Sequence, residues 1–409
     1  IILVDTACVV PMQSVGKAYD RAFAFRNKAK RLFSARVTRQ WPLVDTPTAS
    51  FDTARLPFQP LDLGECDLNS LIAECEIDHT VGPVLDTQGG GKAGYARWNS
   101  FLKNRLRRYA KDRNNALLDG VSRMSAYLHY GMVSPLRIAR EAIESKSPGA
   151  EKYLDELLTW RELAYMFCFY RRDHGSLAVL PDWARLTLAE HRTDPRPAIH
   201  SWETLARGKT GDPLWDAAQR SLLIHGELHN NVRMTWGKAL LNWTPDAQTA
   251  LTLLIDLNHR YALDGRDPAS YGGILWCLGQ FDRPFKPARP ILGTVRDRST
   301  TEHAKRLDPD RYCKHTTRPL HQPRPRAAVI GAGVSGLICA RTLHDHGVGV
   351  SVFEKSRGVG GRMATRRTAE GPRFDHGAQN FTVRDQCFER YVKSWAQDGI
   401  VAPWEGRVC

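Results

Sequence analysis

No CxxC pair occurs in this chain, and its nine cysteines (Cys8, Cys66, Cys75, Cys168, Cys277, Cys313, Cys339, Cys387 and Cys409) are odd in number. Neither a disulfide framework nor a zinc site is expected, and no residue is assigned as a metal ligand. Thiols used in this way fit a reducing cytoplasm. No apolar run reaches the roughly 18 residues of a membrane span, and no charged-then-apolar leader is visible, so neither a membrane partner nor export is expected. Internal repeats are absent. The chain opens on Ile1 rather than Met and stops at Cys409 inside what reads as an unfinished domain, so a piece of a longer protein is expected.

What is present is ordinary in bulk and unusual in detail. The 409 residues have room for two or three domains with real cores. Hydrophobic residues make up 42% and charged ones 25%, with a mean hydropathy of −0.41, as in globular proteins. Eleven tryptophans are many, and several lie outside any apolar stripe. The formal charge of +14 and a pI near 9.5 suit either a polyanionic partner or a generally cationic protein.

Along the chain, "IILVDTACVVP" reads as a buried strand closed by a proline turn, the last strand of an α/β unit. Residues 40–93 read as an irregular connector with a short helix near 67–75, so residues 1–93 form one region. From about 94 to 262 almost everything is helical in period, and residues 94–300 are taken as one helical domain. "YARWNSFLKNRLRRYAKDRNN" carries an apolar face at Trp98, Phe101, Leu102, Leu106 and Tyr109. Ser134 followed by Pro135 opens another helix, "EKYLDELLTWRELAYMFCFYRR" is a long one, and Pro245 to Tyr261 is a further one. Residues 301–325, with "KHTTRPLHQPRPR", read as an extended, basic, Pro-rich linker. Residues 326–409 then change to strand, glycine turn, helix, strand.

In that last region Gly331, Gly333 and Gly336 form G-x-G-x-x-G directly after the apolar run Ala327–Ile330, and Glu354 ends the next strand. The glycines permit a tight turn, a close approach to a pyrophosphate and close helix packing, while the acid is placed for a ribose hydroxyl. The sequel "GVGGRMATRR", then "FDHGAQNFT", resembles the start of the flavin-containing amine-oxidase and renalase-like family, where Arg362 matches the second part of the dinucleotide grip. A second FAD or an NAD(P) is implied there. Oxidase activity is not expected, because the family's substrate half is not in this stretch.

The helical region resembles the flavin domain of the photolyase/cryptochrome family through "YAKDRNN", "SRMSAYLHYGMVSP", "TWRELAYMFCFY", "DPLWDAAQ", "HGELHNNVRMTW" and "YALDGRDPASYGGILW". Their order and spacing are closest to class II cyclobutane pyrimidine dimer photolyases, over about 200 residues. The implied fold class is a mainly α-helical FAD-binding domain followed by a partial Rossmann-type α/β domain, with an N-terminal antenna domain largely missing and its chromophore unassigned.

By that resemblance Tyr109, Ser122, Arg123, Met124, Ser125, Asn230, Arg233, Asp256, Asn258 and Asp264 hold FAD, with Asn258 facing flavin N5. Trp236, Trp215 and Trp243 match a photoreduction triad, proximal, middle and distal. Trp236 and Trp243 lie seven residues apart on one helical face, about 10 Å in rise. Glu162 matches the carboxyl that hydrogen-bonds the dimer, Trp276 one aromatic wall of its pocket and Met234 a floor contact. Arg161 stands beside Glu162, and Arg113 with Asp282 matches a salt bridge near the lesion-binding surface. Without the resemblance, "SRMS" would be an N-cap, the tryptophans core packing, Asn258 a helix-surface amide and the charges surface pairs. Two departures stand out: Asn230 and Asn231 replace a glycine and a bulky residue, and Met166 supplies no second aromatic wall.

The implied function is light-dependent repair of cyclobutane pyrimidine dimers in UV-damaged DNA by a cytoplasmic monomer using reduced FAD. A cryptochrome-like photoreceptor is the alternative, and an oxidoreductase working through the C-terminal domain a third.

Overall fold

The computed structural model describes residues 5–39, 57–62, 64–318, 323, 325–375 and 377–405. It is 51% helix. The elements that position the site are α1 (Ala22–Thr38), α2 (Gly91–Asn104), α3 (Pro135–Glu144), α4 (Arg161–Tyr170), α5 (Trp202–Ala206), α6 (Pro213–His225), α7 (Asn230–Trp243), α8 (Ala247–Tyr261) and α9 (Pro268–Cys277). Two short helices follow, α10 (Thr300–Ala304) and α11 (Pro309–Thr316). The C-terminal unit contains β1 (Arg326–Ile330), α12 (Val334–Asp345), β2 (Gly349–Phe353), β3 (Thr365–Arg367), β4 (Arg373–Asp375) and α13 (Gln386–Gln397). No helix among the described residues is long and apolar enough to cross a membrane.

Local chemistry starts the helices. Ser134, Asp212, Asp246 and Asp267 each accept a backbone N–H from the first turn, and prolines follow three of them at the first helical position. α6 stops at Gly226, whose φ of +61° is the left-handed conformation glycine adopts freely. The long helix expected around "WREL" is continuous, with a π-helical stretch, Asp155–Trp160, just before Glu162. The helix expected through Tyr109 instead ends at Asn104 and resumes after a 3₁₀ turn, yet Trp98, Phe101, Leu106 and Tyr109 are all buried.

Two apolar clusters result. One, around α4 and α6–α9, contains Leu163, Met166, Phe167, Trp215, Trp236, Leu240, Leu254 and Leu275. The other, around α2 and α3, contains Trp98, Phe101, Tyr109, Met124, Ile138 and Tyr153. α4 and α9 pack backbone to backbone: a Cβ on Gly272 would lie 2.6 Å from Ala164 Cβ.

Two expectations are corrected. Residues 1–4 of "IILVDTACVVP" lie outside the described residues, and residues 5–10 form no strand, with bends over 7–10. The Val9 and Val10 N–H groups turn inward to Glu162, and Cys8, Val10, Met12 and Val15 join the helical core. The expected extended linker is helical over α10 and α11, because Asp308 caps a helix whose first residue is Pro309, and Tyr312 is buried. α11 packs along α6, and residues 319–322 and 324 lie outside the described residues.

Candidate functional site

Arg233, in the first turn of α7, ties three elements together. Its Nη1 donates to Asn258 Oδ1 at 2.9 Å and to Ser270 Oγ at 3.3 Å, and its Nη2 donates to both Asp264 carboxylate oxygens at 3.0 and 3.3 Å. Asn258, fully buried in the last turn of α8, donates Nδ2 to Ser270 Oγ at 3.1 Å, while Ser270 donates to the Asp264 carbonyl at 2.9 Å. Each member is held at least twice, so the Asn258 amide has a fixed direction.

A second polar group lies by the α2–α3 cluster. Tyr109 meets Tyr153 edge-on at 5.3 Å, and Tyr153 Oη donates to Ser122 Oγ at 3.4 Å. Arg123 has φ +54° and donates Nε to Glu227 Oε2 at 2.5 Å; Met124 is buried behind it and Ser125 is exposed. Among the described residues, Arg113 Nε, Arg123 Nη2 and His229 Nε2 are buried without a hydrogen-bond partner. His229 Nδ1 accepts the Asn231 N–H at 3.2 Å, so its Nε2 carries the proton. Burial, then the Arg113 cation, holds the His229 imidazole down at about 4, which leaves it neutral. Unpaired buried donors, two of them on guanidinium groups, suit an oxygen-rich anion such as the diphosphate of FAD.

The three expected tryptophans touch. Trp236 stacks on Trp215 at 6.0 Å and 9°, and Trp215 meets Trp243 edge-on at 5.5 Å. Trp236 stands one helical turn from Arg233. Trp215 Nε1 donates to the Trp236 carbonyl at 2.9 Å and Trp236 Nε1 to Gln219 Oε1 at 3.0 Å. Trp215 and Trp236 are buried and Trp243 is half-buried. On another face Trp276 stacks on Trp160 at 4.8 Å and 16°, two residues before Glu162.

In the C-terminal unit β1 and β2 pair in parallel, from Arg326 against Gly349 to Ile330 against Phe353, with α12 between them in sequence. Gly331 has φ +97°, and a Cβ on Gly336 would lie 1.9 Å from the Gly331 carbonyl, so no larger residue fits that turn. Glu354 accepts the Ala332 N–H at 2.6 Å, and Gly333 bridges to Gly360 beside the exposed Arg362. The Ser356 hydroxyl and backbone N–H groups hold the Glu354 carboxyl down at about 2.

Comparison with known proteins follows this division. Residues 153–271 match the FAD binding domain of DNA photolyase. The chain carries a photolyase FAD-binding domain. Residues 329–395 match an NAD(P)-binding Rossmann-like domain. Relatives include a deoxyribodipyrimidine photo-lyase of Methanothermobacter thermautotrophicus, 38% identical over 51% of this chain and 46% of that one. Another is that of Arabidopsis thaliana, 39% identical over 53% of this chain and 45% of that one. The chain thus spans about half the length of the curated relatives it matches. A cryptochrome of Synechocystis has a similar fold, with a TM-score of 0.53 and 19% identity over 78% of this chain and 62% of that one.

Within the photolyase domain the other expected positions lie as follows. Asp256 does not join Asn258: two residues apart on α8 they point to opposite sides, and Asp256 accepts the Trp202 indole N–H at 2.7 Å and pairs with Arg260. Asn230 is exposed at the start of α7, and Asn231 instead donates to the Asn114 carbonyl at 2.5 Å and accepts from Arg298. Arg113 and Asp282 do not pair: Arg113 binds Glu156 at 2.9 Å and Asp282 accepts from Trp276 Nε1 at 3.3 Å. Arg161 donates to the Ala7 carbonyl at 2.8 Å and to Tyr165 Oη at 2.9 Å. Glu162 is 1% exposed, its oxygens taken by Val9 N–H at 2.6 Å and Val10 N–H at 3.2 Å. Burial pushes its carboxyl up to about 7 despite those two bonds. Met234 lies near Gly273 on α9.

The aromatic partner of Trp276 is Trp160, a position outside the expected set, and Met166 is buried in the core. A half-buried tryptophan among charged residues, "TWRE", was its signal, but the π-helical stretch that turns it toward Trp276 has none. His229, Ser270 and Glu227 were likewise outside the expected set.

Proposed function

We propose that the photolyase domain binds FAD and repairs cyclobutane pyrimidine dimers in DNA under light. The observation that carries this reading is the line of touching indoles, Trp236, Trp215 and Trp243, which starts one helical turn from the Arg233–Asn258–Asp264 group. Bound FAD supplies light-driven one-electron chemistry. The chain's own residues set it up: Arg233 and Ser270 hold the Asn258 amide for the flavin edge, and Arg113, Arg123 and His229 offer donors to its phosphates. Trp243, Trp215 and Trp236 relay electrons inward. Trp160 and Trp276 offer a stacking platform for extruded bases, Glu162 a carboxyl for their carbonyls, and the net charge of +14 a grip on phosphates. In the Rossmann-like domain, the Gly331–Gly336 turn would receive a second dinucleotide, NAD(P) or FAD.

A photoreceptor without repair is the second reading. It is favoured by the engagement of Glu162 with Val9 and Val10, and by the direct stacking of Trp160 on Trp276, which leaves no gap for a base between them. Reduced, FAD-loaded protein mixed with an oligonucleotide carrying one thymine dimer decides between them. Dimer loss in light and none in the dark supports repair; flavin photoreduction with no dimer loss selects the photoreceptor.

A further inference from the structure

The line of aromatic rings does not stop at Trp243. His200 lies edge-on to it at 5.2 Å and donates its backbone N–H to the Trp243 carbonyl at 3.2 Å. Two residues further, a distance of at most about 7 Å of chain, Trp202 opens α5. There it meets the C-terminal unit: the Tyr391 ring of α13 is edge-on at 5.4 Å and the Arg390 guanidinium lies over the indole at 4.8 Å.

The indoles along this line differ in their hydrogen-bond partners. Trp215 and Trp236 give their N–H groups to neutral amide oxygens, which cannot take up a proton. Trp202 gives its N–H to the Asp256 carboxylate at 2.7 Å, and Trp395, beyond Tyr391, gives its own to Glu203 at 2.7 Å. An indole that has lost an electron is a strong acid, so the two kinds of partner have different consequences. On the inner rings the hole stays a cation and can return. On Trp202 the proton can leave to Asp256. Arg390, at 4.8 Å from the ring, disfavours a cation there and so favours the neutral, deprotonated indole, while Arg260 lies further off at 5.7 Å. Arg260 is itself neutralised by Asp78 and Asp256.

Resting on the light-driven reading above, we infer that Trp202 is the outer station of the electron path and Asp256 the acceptor of its proton, at the seam between the photolyase domain and the C-terminal unit. The step balances as follows. FAD, when bound, would supply the light-driven one-electron oxidation of Trp236, and the hole left on that indole passes through Trp215 to Trp243. One electron then moves from Trp202 to Trp243, restoring it, and the N–H bond of Trp202 breaks as its proton forms an O–H bond on Asp256. A thiolate from solution gives up one electron to restore Trp202 and leaves as a thiyl radical, its own proton having gone to solvent, and the Trp202 proton returns from Asp256, so the net change is one electron moved from the thiolate to the flavin. Asp256 thus serves the flavin from the far end of the path.

The test uses the full chain loaded with oxidised FAD, flash excitation, and detection of indole radicals by transient absorption and electron paramagnetic resonance. Wild type is expected to form a long-lived neutral indolyl radical. Trp202→Phe should shorten the radical lifetime by roughly tenfold or more, a barrier change of about 1.4 kcal/mol. The near-isosteric Asp256→Asn should keep a cationic radical of equally short life, and it guards against a folding defect in the first variant, as does equal flavin content. Decays unchanged in both variants overturn the inference. Trp236→Phe separates the two levels: if it abolishes radical formation while Trp202→Phe changes nothing, only the extension fails. If Trp236→Phe leaves the radicals unaffected, the parent reading of the tryptophans fails and the extension with it.

Discussion

Arg233 bears more of the candidate site than any other side chain, because Asn258, Asp264 and Ser270 all depend on it for partners. Replacing it with Met leaves a largely buried carboxylate unpaired, and a loss of about 2–4 kcal/mol is expected in urea unfolding, together with weaker flavin retention. Asp264→Asn should cost less, since an amide oxygen still accepts from the guanidinium. Glu162 makes a prediction about pH. Its carboxyl, normally near 4.5, titrates at about 7 when folded, so the folded state holds a proton there that the unfolded chain has released. Stability from this residue is therefore full below about 4.5, declines as pH rises towards 7, and is flat above; the decline is at most about 3 kcal/mol. Unfolding followed from pH 5 to 8 should show that slope in wild type and a flatter one in Glu162→Gln.

At the scale of elements, tight helix crossings hold the pocket residues in place. Gly272→Val drives side-chain carbons into Ala164 on α4, the helix that carries Glu162, and should cost about 1–3 kcal/mol. Adding Ala164→Gly should recover part of that loss in thermal melts, and a simple sum of the two single effects would show that the helices do not meet as described. Much of this level was legible in the sequence. Ser134-Pro135 marked a helix start and the seven-residue interval of Trp236 and Trp243 marked one face. That Asp256 and Asn258 face opposite ways was legible too, since positions two apart on a helix do not share a face. The region 301–325 was misread because proline and basic content outweighed a local signal, Asp308-Pro309 ahead of Tyr312, that resembles the start of α6. The engagement of Glu162 by Val9 and Val10 was not legible at all, because it joins residues 153 and 152 positions apart through backbone groups that carry no sequence signature.

For the whole molecule, the seam between the two domains is chiefly ionic and polar. Arg207 binds Asp345 at 2.6 Å, Arg341 binds Glu203 at 2.6 Å, and Ser201 donates to Asp398 at 2.9 Å. Such contacts weaken as salt rises. Arg207→Glu should place like charges face to face and speed backbone hydrogen exchange in α5 and α13, with the core of α6–α9 unchanged. Equal protection in α5 and α13 would show that the seam does not depend on this pair. One more consequence follows from α11. His225, fully buried at the end of α6, donates Nε2 to the Thr316 carbonyl at 2.9 Å and turns Nδ1 to Asp86 at 2.8 Å. The stretch of chain packed into the helical body is therefore longer at both ends than the stretch that matches the family, reaching back past Asp86 to Cys8 and forward to Thr316, against a match of 153–271. Anyone cutting this gene into separately expressed halves should cut beyond residue 318, since a cut at 300 would take away both α11, which packs along α6, and the carbonyl that the buried His225 bonds.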